Sequence, residues 1–129
     1  MVVDTSALLA IFFAEPFGDW AAARLAEHAG DLCMSTVNLT ETLIRVRDRQ
    51  PESFEQIETE LLNSGIRFVA PDVQQARIAA EARLRYPLNL GDCFAYALAV
   101  VEDLPILALD RDFRSSDRPV VWPEIRKES

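Results

Sequence analysis

Four acidic residues stand at the ends of apolar runs: Asp4 closes Met1-Val2-Val3, Asp110 closes Pro105-Ile106-Leu107-Ala108-Leu109, Asp92 opens a helical run from Gly91 to Ala99, and Glu41 lies in the first turn of a helix from Thr36. Carboxylates brought together in this way repel: two that are about 5 Å apart do so by roughly 3 kcal/mol at an effective dielectric of about 20. A divalent cation relieves that cost. Mg²⁺ or Mn²⁺ on a few carboxylates keeps several waters and serves phosphate chemistry. The sequence offers no activated Ser, Cys or His nucleophile. His28 is the only histidine and no CxxC occurs, which excludes a Cys/His zinc site.

Each acid also has an ordinary reading. Asp4 precedes Thr5-Ser6 and caps a helix equally well. Glu41 stands three residues after Asn38, the spacing of a capping box. Asp92 gains roughly 0.3–1 kcal/mol from a helix dipole, although the helix that it leads is strongly apolar. Asp110 and Asp112 share a polar turn, Leu109-Asp110-Arg111-Asp112-Phe113; Asp110 directly ends the strand and is preferred. The hydroxyls of Thr5 and Ser6 cap the helix or hold Asp4 and a bound water in place.

The elements that must position these groups alternate. Strands are expected at Met1 to Val3, Leu32 to Ser35, Ile66 to Val69, Pro105 to Leu109 and Val120 to Trp122. Helices are expected from Ala7 to Phe13, Pro16 to Ala29, Thr36 to Arg49, Glu52 to Asn63, Val73 to Arg85 (capped by Pro71-Asp72) and Gly91 to Glu102, with a frayed tail from Glu124 to Ser129. This order predicts an α/β domain with a mainly parallel sheet and helices on both faces. In such sheets ligands bind beyond the carboxyl ends of the strands, which is where Asp4 and Asp110 fall.

At 129 residues, half of them hydrophobic, the chain is expected to form one domain, 1–129. The net charge of −8 argues against nonspecific electrostatic wrapping of nucleic acid. The basic residues are nearly all arginine, suited to bidentate phosphate contacts; Arg45, Arg47 and Arg49 form a solvated face or meet RNA phosphates. Cys33 and Cys93 sit in apolar runs and read as buried thiols of a reducing compartment. No signal peptide or membrane span is evident, so a cytoplasmic location is expected. Ile11, Phe12, Phe13, Phe17 and Trp20 are core residues, or in part line a partner groove or dimer interface.

The segments Val2-Val3-Asp4-Thr5-Ser6-Ala7-Leu8, Ser35-Thr36-Val37-Asn38-Leu39-Thr40-Glu41, Leu90 to Ala99 and Ile106 to Phe113 occur in an order that resembles the PIN-domain family, and within it the VapC-type toxin ribonucleases. The resemblance implies a three-layer α/β/α fold and a Mg²⁺- or Mn²⁺-dependent endoribonuclease leaving 5′-phosphate and 3′-hydroxyl ends. It carries Asp4, Glu41 and Asp92 over as the acidic triad, with Asp110 or Asp112 as the fourth acid and Ser6 as the polar residue near the metal. Where the family often has Thr or Ser before the fourth acid, this chain has Ala108-Leu109. The implied partners are RNA, a cognate antitoxin that inserts a basic residue among the acids, and a second copy in a homodimer. The expected chemistry is attack on an RNA phosphodiester by a water activated on a metal held by Asp4 and Asp92, with Glu41 and Asp110 completing the shell or positioning that water. The rivals are an acid-pocket phosphatase or phosphotransferase, disfavoured because position 6 is Ser, and a catalytically inactive partner-binding module.

Overall fold

The computed structural model describes residues 1–124. Five short strands, β1 (Val2–Val3), β2 (Cys33–Ser35), β3 (Arg67–Val69), β4 (Ile106–Leu107) and β5 (Val120–Val121), form one sheet in the order β3-β2-β1-β4-β5, and every pair is parallel. Parallel pairing needs long crossovers. These are supplied by α1 (Thr5–Phe12), α2 (Gly18–Glu27), α3 (Thr36–Arg49), α4 (Phe54–Leu62), α5 (Val73–Arg85) and α6 (Leu90–Glu102).

The side-chain alternation of β1 divides the helices into two layers. Val2 and its register partners Cys33 and Ile106 face a core that holds Ala79 and Ala82 of α5 and Cys93, Ala97 and Leu98 of α6. Val3 and its partner Leu107 face the opposite core, with Ala7 and Leu8 of α1, Ala21 of α2 and Leu61 of α4. The fold is therefore three-layer α/β/α, as expected. Both strand faces are covered, and this is why the strands read as continuous apolar runs.

Several boundaries differ from the sequence reading. The first helix begins at Thr5 and is capped by Asp4, so Thr5 and Ser6 lie inside it. The second begins at Gly18, not Pro16. Ala14 and Phe17 adopt positive φ in the connecting turn, and Gly18 approaches so closely that a Cβ there would collide with the carbonyl oxygen of Ala10. The last helix begins at Leu90, because Asn89 caps it and forms a capping box with Asp92. The fourth strand is shorter than expected, although Ala108 N–H still reaches the Val121 carbonyl. Asp72 caps α5 as expected. Of the tail, residues 125–129 lie outside the described residues. Ile11, Phe12, Phe13 and Trp20 pack into the core beside α1, and of the five aromatic and aliphatic candidates only Phe17 is exposed. Both cysteines are free and buried.

Candidate active site

β1 is central: the chain leaves it to β2 and β3 on one side, then crosses back from β3 to β4 and β5 on the other. The carboxyl ends of β1 and β4 border the crevice where the strand order reverses. Asp4 leaves β1 there. Its Oδ2 accepts the backbone N–H of Ser6 at 3.0 Å and the Ser6 hydroxyl at 2.7 Å. The same Ser6 oxygen accepts the N–H of Leu109 at 2.9 Å. Ser6 thus ties the end of β1 to the chain leaving β4, next to Asp110. Asp4 is 2% exposed, and its other oxygen, Oδ1, is buried with no hydrogen-bond partner.

Glu41 enters from α3, whose cap is Ser35. Asn38 is therefore within the helix and forms no capping box. Its amide instead donates to Glu41 Oε1 at 3.0 Å and to the Gly91 carbonyl at 3.0 Å, joining α3 to the start of α6. Thr5 Oγ1 lies 3.1 Å from the same Glu41 oxygen. The Glu41 carboxylate packs directly on Gly91, where a Cβ would strike it.

Asp92 is third in α6 and 6% exposed. One oxygen accepts Asn89 N–H at 3.2 Å, while Asn89 Oδ1 accepts Asp92 N–H at 2.8 Å. Asp110 caps a short 3₁₀ turn, Arg111–Ser115, and accepts Asp112 N–H at 2.9 Å. Phe113, fully buried, pins that turn, and Tyr96 of α6 donates to Asp117 at 2.6 Å just beyond it.

The electrostatics show which acids share a location. Burial pushes the Asp4 carboxyl up to about 6 against the lowering effect of Ser6, and the charges of Glu41 and Asp110 add to the rise. Burial pushes Asp92 up to about 7, helped by Asp4, Asp110 and Glu41 and opposed by the Asn89 N–H. Glu41 and Asp110 thus bear on both Asp4 and Asp92, so four acids from four separate elements lie within electrostatic reach of one another. Asp112 is exposed, whereas Asp110 is half-buried and adds to the rise at both acids. Burial also raises both cysteine thiols, which keeps them protonated and unreactive.

The donor set fits a hard, oxygen-seeking cation. Asp4 Oδ1 is a buried acceptor aimed at no protein donor. Among the described residues, however, no three His, Cys, Asp or Glu side chains stand close enough together to hold a metal ion among them. Mg²⁺ and Mn²⁺ suit such an open arrangement, since Mg²⁺ commonly takes one or two carboxylates and fills its other positions with water. A groove of about 430 Å³ is lined by Ser6, Leu9, Arg45 and Asp110, and Ser6 holds Asp4 at its edge. Of the three α3 arginines only Arg45 borders it; Arg47 stacks on Phe54 and Arg49 on Phe13.

Asn38, Gly91 and Asn89 are neighbours of these acids that sequence reasoning did not assign to the site, and Thr5, expected to cap the helix or hold Asp4, instead contacts Glu41. The signal for Asn38 was present in Asn38-Leu39-Thr40-Glu41, whose spacing serves a side-chain pair within a helix as well as a cap.

A model of the PIN domain matches residues 1–119. A ribonuclease VapC of Mycolicibacterium smegmatis is 37% identical over 125 residues, spanning 91% of this chain and 96% of its own. Ribonuclease VapC42 of Mycobacterium tuberculosis is also 37% identical, over 127 residues, spanning 91% and 95%. Among solved structures, the sarcin-ricin loop cleaving toxin VapC20 of M. tuberculosis superposes with a TM-score of 0.81 at 20% identity, covering 95% of this chain and 98% of its own. A chain of a toxin–antitoxin complex from Klebsiella pneumoniae gives 0.75 at 21%, covering 93% and 94%. At those identities the structural likeness speaks to the fold.

Proposed function

The chain belongs to the PIN-domain family, and we propose that it is a divalent-metal-dependent endoribonuclease, the toxin of a toxin–antitoxin pair. The observation that carries this reading is the convergence of Asp4, Glu41, Asp92 and Asp110 on one crevice, with Asp4 Oδ1 left unpartnered. The curated relatives, ribonucleases by name over nearly the whole chain, support RNA as the substrate.

Asp4 and Asp92 would hold Mg²⁺ or Mn²⁺. Such an ion offsets their mutual repulsion, acidifies water and neutralises charge on a phosphodiester. Ser6 keeps Asp4 in one rotamer by occupying Oδ2, which leaves Oδ1 for the ion. Glu41, held by Asn38 and Thr5, and Asp110, at the mouth, orient the attacking water and take its proton. The water oxygen bonds to phosphorus as the P–O3′ bond breaks, and O3′ is protonated. The products are a 5′-phosphate and a 3′-hydroxyl. Asp112, exposed, stays outside this scheme.

The partner assignment follows from the same pocket. An antitoxin presenting Arg or Lys to four carboxylates would neutralise them as a cation does. Likeness to a chain solved in a toxin–antitoxin complex supports that partner. A single domain, a homodimer and a cytoplasmic site of action complete the proposal; no helix of the described residues is long and apolar enough to cross a membrane. The aspartyl-nucleophile alternative gains nothing from the geometry, since position 6 supplies a serine that occupies Asp4 Oδ2.

The test is incubation of purified protein with total RNA in Mg²⁺ or Mn²⁺ and again in chelator. Discrete cleavage that chelator abolishes and Asp92→Asn removes is expected. Absence of cleavage in both, or cleavage indifferent to chelator, overturns the reading.

A further inference from the structure

A second cleft of about 460 Å³ opens beside Asp110, and Phe17, Arg111, Arg114, Trp122 and Pro123 line it. That volume lies in the range, roughly 300–1,000 Å³, of sites that bind small organic groups. The Arg114 guanidinium sits 3.9 Å from the centroid of the Trp122 ring, in stacking contact. Phe17 is 44% exposed at its edge, held by a left-handed backbone that turns it out of the α1–α2 core.

We propose that this cleft receives one unpaired nucleotide of the RNA next to the scissile phosphate, with its base on the aromatic–guanidinium surface of Phe17, Trp122 and Arg114 and its phosphate on Arg111. The inference rests on the ribonuclease reading and specifies how that substrate is held. Three features carry it.

First, the cleft shares Asp110, Leu109 and Phe17 with the groove that Ser6 lines, and Ser6 holds Asp4, so a strand cut beside Asp4 and Asp110 runs into the cleft. Second, Arg111 and Arg114 are three residues apart in a 3₁₀ turn, where side chains at that spacing eclipse. Both cations therefore face one side, and buried Phe113 fixes the turn that presents them. Third, the chemistry is that of single-stranded RNA recognition: aromatic rings and guanidinium planes stack on unpaired bases, while arginine meets phosphate. A basic protein segment would face Arg111 and Arg114 at close range, although Asp110 and the rim residue Glu124 moderate that repulsion. An Arg114–Trp122 pair also tethers β5 to the turn; its opening onto the cleft beside Asp110 is what a tether alone does not require.

The experiment uses a Trp20→Phe background, in which Trp122 is the sole tryptophan, and a mixed-sequence single-stranded RNA hexamer, in chelator and in Ca²⁺. Saturable quenching of Trp122 is expected, weakened about fivefold or more by Arg114→Ala and lost when the hexamer is base-paired. In cleavage assays Arg114→Ala, on an exposed side chain, is expected to raise KM by a similar factor with kcat within about twofold, and to change the base preference at the cut. Unchanged Trp122 emission at saturating RNA, or wild-type KM and cut-site preference in Arg114→Ala, overturns the proposal while leaving the ribonuclease reading intact. Quenching without any cleavage supports the cleft and sinks the catalytic reading. Quenching by an arginine-rich peptide but not by RNA makes the cleft a protein-docking surface and overturns the proposal.

Discussion

The carboxylate of Glu41 rests on the Cα of Gly91, with no room for a side chain between α3 and the start of α6. The contact is a positioning device, because the Gly91 carbonyl and Glu41 Oε1 both accept from the Asn38 amide. Gly91→Ala should therefore push the Glu41 carboxylate aside without harming the fold. Glu41 is the far end of a flexible side chain, and alanine favours a helix over glycine by about 1 kcal/mol. The expected outcome is a melting temperature equal to or a few degrees above wild type, with RNA cleavage reduced about tenfold or more. Thermal melts and initial rates on the same preparations check it.

Asp92→Asn should abolish cleavage, by at least about a hundredfold, while the helix start survives. Asparagine still accepts the Asn89 N–H through its Oδ1, so the capping box of α6 persists. Circular dichroism should be unchanged. Cleavage at the wild-type rate would remove Asp92 from the site.

The two acids after β4 should separate cleanly. Asp110 is half-buried and its charge raises both Asp4 and Asp92, whereas Asp112 is exposed. Asp110→Asn is expected to lose cleavage about tenfold or more and Asp112→Asn to stay within about twofold. Asp110 also caps the 3₁₀ turn through Asp112 N–H, a bond that asparagine can keep. Parallel initial rates decide the matter; the reverse order would move the fourth acid to Asp112.

Much of this arrangement is legible in the sequence, and the part that is not has identifiable causes. The apolar runs ending in Asp4 and Asp110 disclose both strand ends and the crevice, because a sheet covered on both faces writes its strands as unbroken apolar stretches. The helix starts are harder. Asn38-Leu39-Thr40-Glu41 has the spacing of a cap, yet the helix begins at Thr36, as its apolar pattern indicates, and Ser35 is the cap. The converse holds at Asn89, which forms a real capping box with Asp92 although the helix is expected only from Gly91, a residue with low helix propensity. Tertiary contacts such as Thr5 to Glu41 and Glu41 to Gly91 join segments far apart in the chain and leave no local mark.

The raised carboxyls of Asp4, at about 6, and Asp92, at about 7, make stability depend on pH with a definite sign. A group whose folded pKa lies above its unfolded value binds protons more tightly when folded. Its contribution is therefore complete below about pH 3.8 and is lost as pH rises through 6 to 7. The metal-free protein should lose on the order of 2 kcal/mol or more per group between pH 4 and pH 8, apart from other titrating residues. Asp4→Asn and Asp92→Asn should flatten that slope, and millimolar Mn²⁺ should restore stability at pH 8 far more than at pH 5. Thermal melts across this range check both. A wild-type slope unchanged in the double variant would contradict the assignment of the raised carboxyls, chiefly by burial, to this pair.

Calorimetric titration of Mn²⁺ into the metal-free protein at pH 8, wild type beside Asp4→Asn, tests most directly whether these carboxylates share a cation. Binding by the wild type and its loss, by about a hundredfold or more, in the variant is the predicted result. Equal affinity in the two proteins, or no binding by either, would contradict the account.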